Sequence, residues 1–137
     1  MRNKHAFTLI ELLVVIVIIG LLASLVAPKL FGKLEDAKVK TAKAQLSMIS
    51  TALDAFKLDV GRYPTTQEGL KVLWQNPGIS NWHGKYLPKP IEKDPWGHPY
   101  VYKSPGADGN PYELKSYGAD GKPGGSGENK DISVWDN

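Results

Sequence analysis

From Phe7 to Ala27 nearly every position is apolar, and the polar exceptions are Thr8, Glu11 and Ser24. Wound as a helix, residues 7–27 reach roughly 31 Å at about 1.5 Å per residue, enough for the hydrocarbon core of a bilayer. Pro28 and Gly32 follow, and a proline in a helix interior costs about 3 kcal/mol, so a kink or local melting is expected there. The apolar positions then resume as Val39, Ala42, Leu46, Ile49, Leu53, Phe56 and Val60, at spacings alternating between three and four. That period belongs to an amphipathic helix. Lys38, Lys40, Lys43, Asp54 and Lys57 occupy its other face, so one stripe packs on a domain and the rest meets water or neighbouring subunits. The pattern stops at Gly61-Arg62-Tyr63-Pro64, too soon for a sustained coiled coil. Residues 7–59 thus form one helical stretch, roughly 80 Å long if unbroken.

The remainder, 60–137, changes character. Thr65 and Glu68 stand three apart as a capping box ahead of Leu70, Val72, Leu73 and Trp74, which predicts a short second helix ending before Asn76-Pro77-Gly78. Residues 75–99 have loop composition, anchored by Trp82, Tyr86, Leu87 and Trp96. Tyr100-Val101-Tyr102-Lys103 and Tyr112-Glu113-Leu114-Lys115-Ser116-Tyr117 are aromatic-rich runs across a Pro- and Gly-containing connection, which predicts a hairpin, and Ile132–Trp135 offers a third short strand. The expected class is α+β: a long N-terminal helix laid on a small antiparallel sheet.

Composition narrows the function. The 137 residues include no cysteine, which removes thiolate metal sites and disulfide staples. The formal charge of +3 owes two units to Arg2 and Lys4, so the basic balance says little about nucleic acid. Lys38, Lys40 and Lys43 read as a solvated or subunit-facing surface rather than a nucleic-acid patch. No nucleophile motif or phosphate-cradling loop is present, and His5, His83 and His98 lack metal-ligand spacing. The sequence therefore reads as a non-enzyme, and its four tryptophans as core and rim packing.

Glu11 is the anomaly. A carboxylate in lipid costs on the order of 3 kcal/mol by insertion scales and is normally kept for a partner. Arg2 and Lys4 favour a cytoplasmic N-terminus, while the long apolar run and the poor site after Ala27 disfavour an ordinary cleaved signal. A short basic leader followed by Phe7-Thr8-Leu9-Ile10-Glu11-Leu12-Leu13-Val14-Val15 resembles the class III leader of type IV pilins and type II secretion pseudopilins. The resemblance implies a pilin-like fold, removal of residues 1–6 by a prepilin peptidase cutting between Ala6 and Phe7, and methylation of the Phe7 amine. The family usually carries Gly before the cut, and this chain departs from that with Ala6. A buried carboxylate and a buried ammonium each relieve the other's penalty. Glu11 of one subunit and the Phe7 amine of a staggered neighbour are then a register device for fibre assembly.

The resemblance narrows with Arg62-Tyr63-Pro64-Thr65-Thr66, Glu68-Gly69-Leu70, Lys93-Asp94-Pro95-Trp96-Gly97-His98-Pro99-Tyr100 and Gly118-Ala119-Asp120-Gly121. These are similar to the major, G-type pseudopilins of type II secretion, over essentially the whole chain. The organisation so implied is a leader 1–6, a long helix 7–59 divided into a membrane and fibre-core part 7–27 and an amphipathic part 28–59, and a periplasmic head 60–137. The subunit would sit as a single span in the bacterial inner membrane and then join a periplasmic fibre. Its partners would be copies of itself, minor pseudopilins, the prepilin peptidase and the inner-membrane assembly platform, with no nucleic acid. A type IV or DNA-uptake pilin is the alternative.

Residues 118–132 carry several glycines with Asp120, Glu128 and Asp131. Such a loop is usually a solvated turn, although carboxylates and glycine-freed carbonyls are also what calcium takes, six to eight oxygens at a time. The resemblance implies calcium bound within 114–132, by Asp120 and Asp131 with the Leu114 and Ser116 carbonyls, and Glu128 as a further candidate. Lys130 stands where many relatives have an acid. The similar stretch Gly106-Ala107-Asp108-Gly109-Asn110-Pro111 is read as a turn.

Overall fold

The computed structural model describes residues 7–136, with side chains except those of 26–29 and 31. The leader, and with it the expected cut after Ala6, lies outside the described residues. Helix α1 runs Leu9–Val60. It begins where Thr8 Oγ1 accepts the Glu11 N–H at 3.1 Å, an N-cap that satisfies one of the orphan donors of the first turn. It ends where Gly61 turns to φ 92° and donates its N–H to Lys57 O at 2.8 Å, a left-handed stop that suits glycine. The helical backbone continues through Pro28 and Gly32, so the local melting expected there does not occur. Leu25, Ala27, Lys29 and Leu30 around Pro28 are strong helix formers, and a proline removes one ladder bond of the helix.

The chain divides into two compact units, one through Asp36 and one from Ala37 onward. In the first, the described side chains from Phe7 to Leu25 are exposed. Among the described residues no helix is long and apolar enough to cross a membrane; beyond that run Leu30 and Leu34 are exposed as well.

The second unit holds the core. Ala42, Leu46, Ile49, Leu53 and Phe56 are at most 1% exposed, and Val39 and Val60 pack against them, so the expected stripe is the buried face of α1. Against it lies a three-stranded antiparallel sheet in the order β1 (Val101–Lys103), β2 (Glu113–Ser116), β3 (Ile132–Ser133). Tyr102 pairs with Leu114, and Ser116 with Ile132. Along β2 the alternation buries Leu114 and Ser116 and leaves Glu113 and Lys115 partly exposed, as the period of two in a strand requires.

Tyrosines tie the head to the last four turns of α1. Tyr100 donates to Gln45, Tyr112 shares a 2.8 Å hydrogen bond with Ser50, Tyr63 donates to Asp54 at 2.9 Å, and Tyr86 donates to Asp59 at 2.7 Å. Burial raises all four phenols above their ordinary pKa, with the Asp54 and Asp59 carboxylates adding to it at Tyr63 and Tyr86.

The expected second helix is shorter and tighter than an α-helix: a 3-10 turn over Leu70–Leu73. The capping box forms, with Glu68 N–H on Thr65 Oγ1 at 3.1 Å and Thr65 N–H on Glu68 Oε1 at 2.8 Å. Gly69, whose N–H reaches Thr65 O at 2.9 Å, takes φ 67°, so the turn that the capping box opens does not run on as one helix into Leu70–Leu73.

Candidate functional site

Two segments carry the expected functional residues. The first is the start of α1. Phe7 is 71% exposed, and Glu11 lies in the first turn, where the unpaired N–H groups and the helix dipole favour an anion. Thr8 and Glu11 have capping-box spacing, and the Thr8 half of that box is formed. Beside the pairing with a neighbour's amine expected for Glu11, Thr8-Leu9-Ile10-Glu11 carries this local capping signal in the sequence itself.

The second is the stretch between β2 and β3. Asp120 is exposed and accepts the Lys122 N–H through Oδ1 at 3.1 Å. Asp131 is half-buried; its Oδ2 accepts the Gly124 N–H at 3.0 Å, while Oδ1 is buried without a hydrogen-bond partner. Leu114 O accepts the Val134 N–H at 2.9 Å, leaving one lone pair of that carbonyl. Glu128 is exposed, and its backbone oxygen accepts the Ala119 N–H at 3.0 Å. It lies in a one-turn 3-10 segment, Gly127–Asn129, regular structure that the glycine-rich composition did not predict. Among the described residues no three His, Asp or Glu side chains converge as a metal-holding group, so Asp120, Glu128 and Asp131 are not gathered into a carboxylate trio. The fit to a hard cation rests on Asp131. A buried carboxylate oxygen with no donor is costly, and a cation bound there by carboxylate and carbonyl oxygens would relieve it.

Glycine shapes this loop. Gly118 has φ 76°, and a Cβ there would meet Lys130 O at 2.8 Å and Glu128 O at 2.9 Å. The loop also faces the hairpin connection: Asp108 and Asn110 line the same open groove of about 470 Å³ as Gly124 and Asp131. The connection is a turn, as its sequence indicates.

Residues outside the expected set hold the loop's entrance. Asp94, 5% exposed, accepts the Trp96 and His98 N–H groups through Oδ1 at 3.0 and 2.9 Å and the Ser116 hydroxyl through Oδ2 at 2.6 Å. Asp94-Pro95-Trp96-Gly97 is an Asx-type turn by composition. Its reach to Ser116, 22 residues away, is not a local signal.

A long N-terminal helix with an apolar, Thr-capped start, and a cysteine-free head of three short strands, define a pilin-like subunit. The family description "Type II secretion system (T2SS), protein G" matches residues 29–135, and "Prokaryotic N-terminal methylation motif" matches residues 1–27. The chain belongs to the type II secretion system protein G family. It is 47% identical to the type II secretion system core protein G of Pseudomonas aeruginosa, over 99% of this chain and 98% of that protein. It is 44% identical to the core protein G of Vibrio cholerae, over 98% and 94%. A crystal structure of the major pseudopilin of the type 2 secretion system of enterohaemorrhagic Escherichia coli matches with a TM-score of 0.63 at 32% identity, covering 79% of this chain and 95% of that one.

Proposed function

We propose that this chain is the major structural subunit of a type II secretion pseudopilus, polymerising into a periplasmic fibre that drives export of folded proteins across the outer membrane. The observation that carries this is the near full-length similarity to core G proteins together with the methylation motif at residues 1–27. The match of the G family across 29–135 favours this role over a type IV or DNA-uptake pilin.

In this reading the precursor inserts through residues 7–27, is cut between Ala6 and Phe7, and is methylated on Phe7. It then joins the fibre from the inner-membrane assembly platform, with minor pseudopilins as further partners. The described part of the apolar run, exposed from Leu9 to Leu25, supplies surface for lipid before assembly and for other copies after it. Glu11 sets the register by meeting a neighbour's Phe7 amine. Calcium would be held by Asp131 and Asp120 with carbonyl oxygens of Leu114 and Ser116, and Glu128 as a further candidate; it would order the loop in place of a disulfide, as small heads require. The role is structural rather than catalytic.

Expression with the secretion machinery tests this. Wild-type chain is expected in fibres released from the periplasm when the outer membrane is opened, and Glu11→Ala is expected to accumulate in membranes with few or no fibres. Fibres from Glu11→Ala at wild-type yield would discard the register role.

A further inference from the structure

The family resemblance assigns nothing to the side chains of Asp94 and Ser116, and both are buried. A buried carboxylate is tolerated only when its oxygens are supplied with donors. Asp94 has three: the Trp96 and His98 amides from its own turn, and the Ser116 hydroxyl from the end of β2. Ser116 Oγ in turn accepts the Gly118 N–H at 3.1 Å, the residue at which the loop begins. The turn is closed by its own backbone, Asp94 N–H to His98 O at 2.7 Å and Gly97 N–H to Asp94 O at 2.9 Å. A second link runs beside the first. His98 Nε2 lies 3.3 Å from Ala119 O, and a Cβ on Gly121 would come within 2.9 Å of the His98 ring.

We infer that Asp94 is a positioning residue for the 118–131 loop, and that through Ser116 it couples order in that loop to order in the Trp96–His98 turn. Without the Ser116 hydroxyl, Oδ2 becomes a buried acceptor with no donor, and the turn must open to admit water. Conversely, a displaced loop start pulls Gly118 from Ser116 and leaves that hydroxyl less well oriented toward Asp94. The calcium arm of this inference rests on the cation reading above; the coupling itself does not.

Amide hydrogen exchange on the full chain in detergent micelles, first in chelator and then with calcium chloride, tests it. In chelator, Ser116→Ala, which keeps the backbone carbonyl, is expected to speed exchange about tenfold or more at Trp96 and His98 as well as at Gly118. Gly69, whose N–H is held by Thr65 O, should keep its wild-type rate, and Ser116→Thr should restore protection in the turn. Faster exchange at Gly118 alone, or no recovery in Ser116→Thr with Gly69 unchanged, would overturn the inference. Should Ser116→Ala also loosen Gly69, Asp94→Asn reads the coupling from the other side: faster Gly118 exchange supports it and a wild-type rate overturns it. With calcium, the wild type should slow at Trp96 and His98 together with Ala119, and slowing in the loop alone contradicts the coupling. If calcium slows neither set, the cation reading fails and the chelator comparison still decides the coupling.

Discussion

Arg62 grips both oxygens of Glu68, Nη1 to Oε1 at 2.6 Å and Nη2 to Oε2 at 3.0 Å, while Oε1 also receives the Thr65 N–H. The guanidinium fork is the geometry in which an ion pair is strongest. It joins the residue just past the end of α1 to the capping box that opens the next turn.

This pair predicts an acid dependence. The Arg62 hydrogen bonds, with those from Thr65, hold the Glu68 pKa down to about 2, below the ordinary 4.5. A depressed carboxyl pKa means that the unfolded state takes up the proton first, so the stabilisation is present above about pH 4.5 and fades as pH falls toward 2. Thermal melts across that range should show Glu68→Gln less stable than wild type at neutral pH, with a shallower decline on acidification. Parallel curves would contradict the assignment.

At the alkaline end the sign reverses. Burial, aided by the hydrogen bond to Asp54, pushes the Tyr63 phenol up to about 12. The folded state therefore keeps a proton that the unfolded state gives up near pH 10, and stability falls as pH rises from about 10 toward 12. Tyr63→Phe should cost about 1 kcal/mol at neutral pH and make the alkaline decline shallower, read by denaturant melts at pH 8 and 11.

Phe56 is fully buried and meets Tyr86 edge-on at 5.7 Å between ring centroids. Phe56→Ala should cost about 3–5 kcal/mol, whereas Lys57→Ala one position on, on the exposed face, should cost well under 1 kcal/mol. Similar losses from both in urea melts would mean that the buried face of α1 has been misassigned.

Calcium should raise the melting temperature of the wild type. Asp131→Asn should abolish the rise while leaving the melting temperature in chelator unchanged or slightly higher, because it removes the charge from a carboxylate whose Oδ1 is buried without a donor. Asp120→Ala should likewise lose stability only when calcium is present. An equal loss in chelator would count against the cation reading.

The helix and its buried face were legible because each turn repeats the same choice, Leu46, Ile49, Leu53 and Phe56 inside and Lys40, Lys43 and Lys57 outside. The hairpin was legible for the same reason, with Tyr102 opposite Leu114. Where one residue decides the outcome, the pattern gave less. Gly69 separates the capped turn from the 3-10 turn over Leu70–Leu73, and the helical backbone is continuous through Pro28, where a kink or local melting was expected and melting does not occur. The loop's acids could be named from composition, yet neither the orphaned Oδ1 of Asp131 nor the reach of Asp94 to Ser116 has a sequence signature. Both depend on which segments meet in three dimensions, and a spacing rule does not carry that.

The most direct measurement is the intact mass of the chain recovered from assembled fibres and denatured. A processed subunit built around a Phe7 amine and Glu11 predicts a mass equal to residues 7–137 plus one methyl group. An uncut chain in fibres, or a chain beginning near Pro28, would contradict the account.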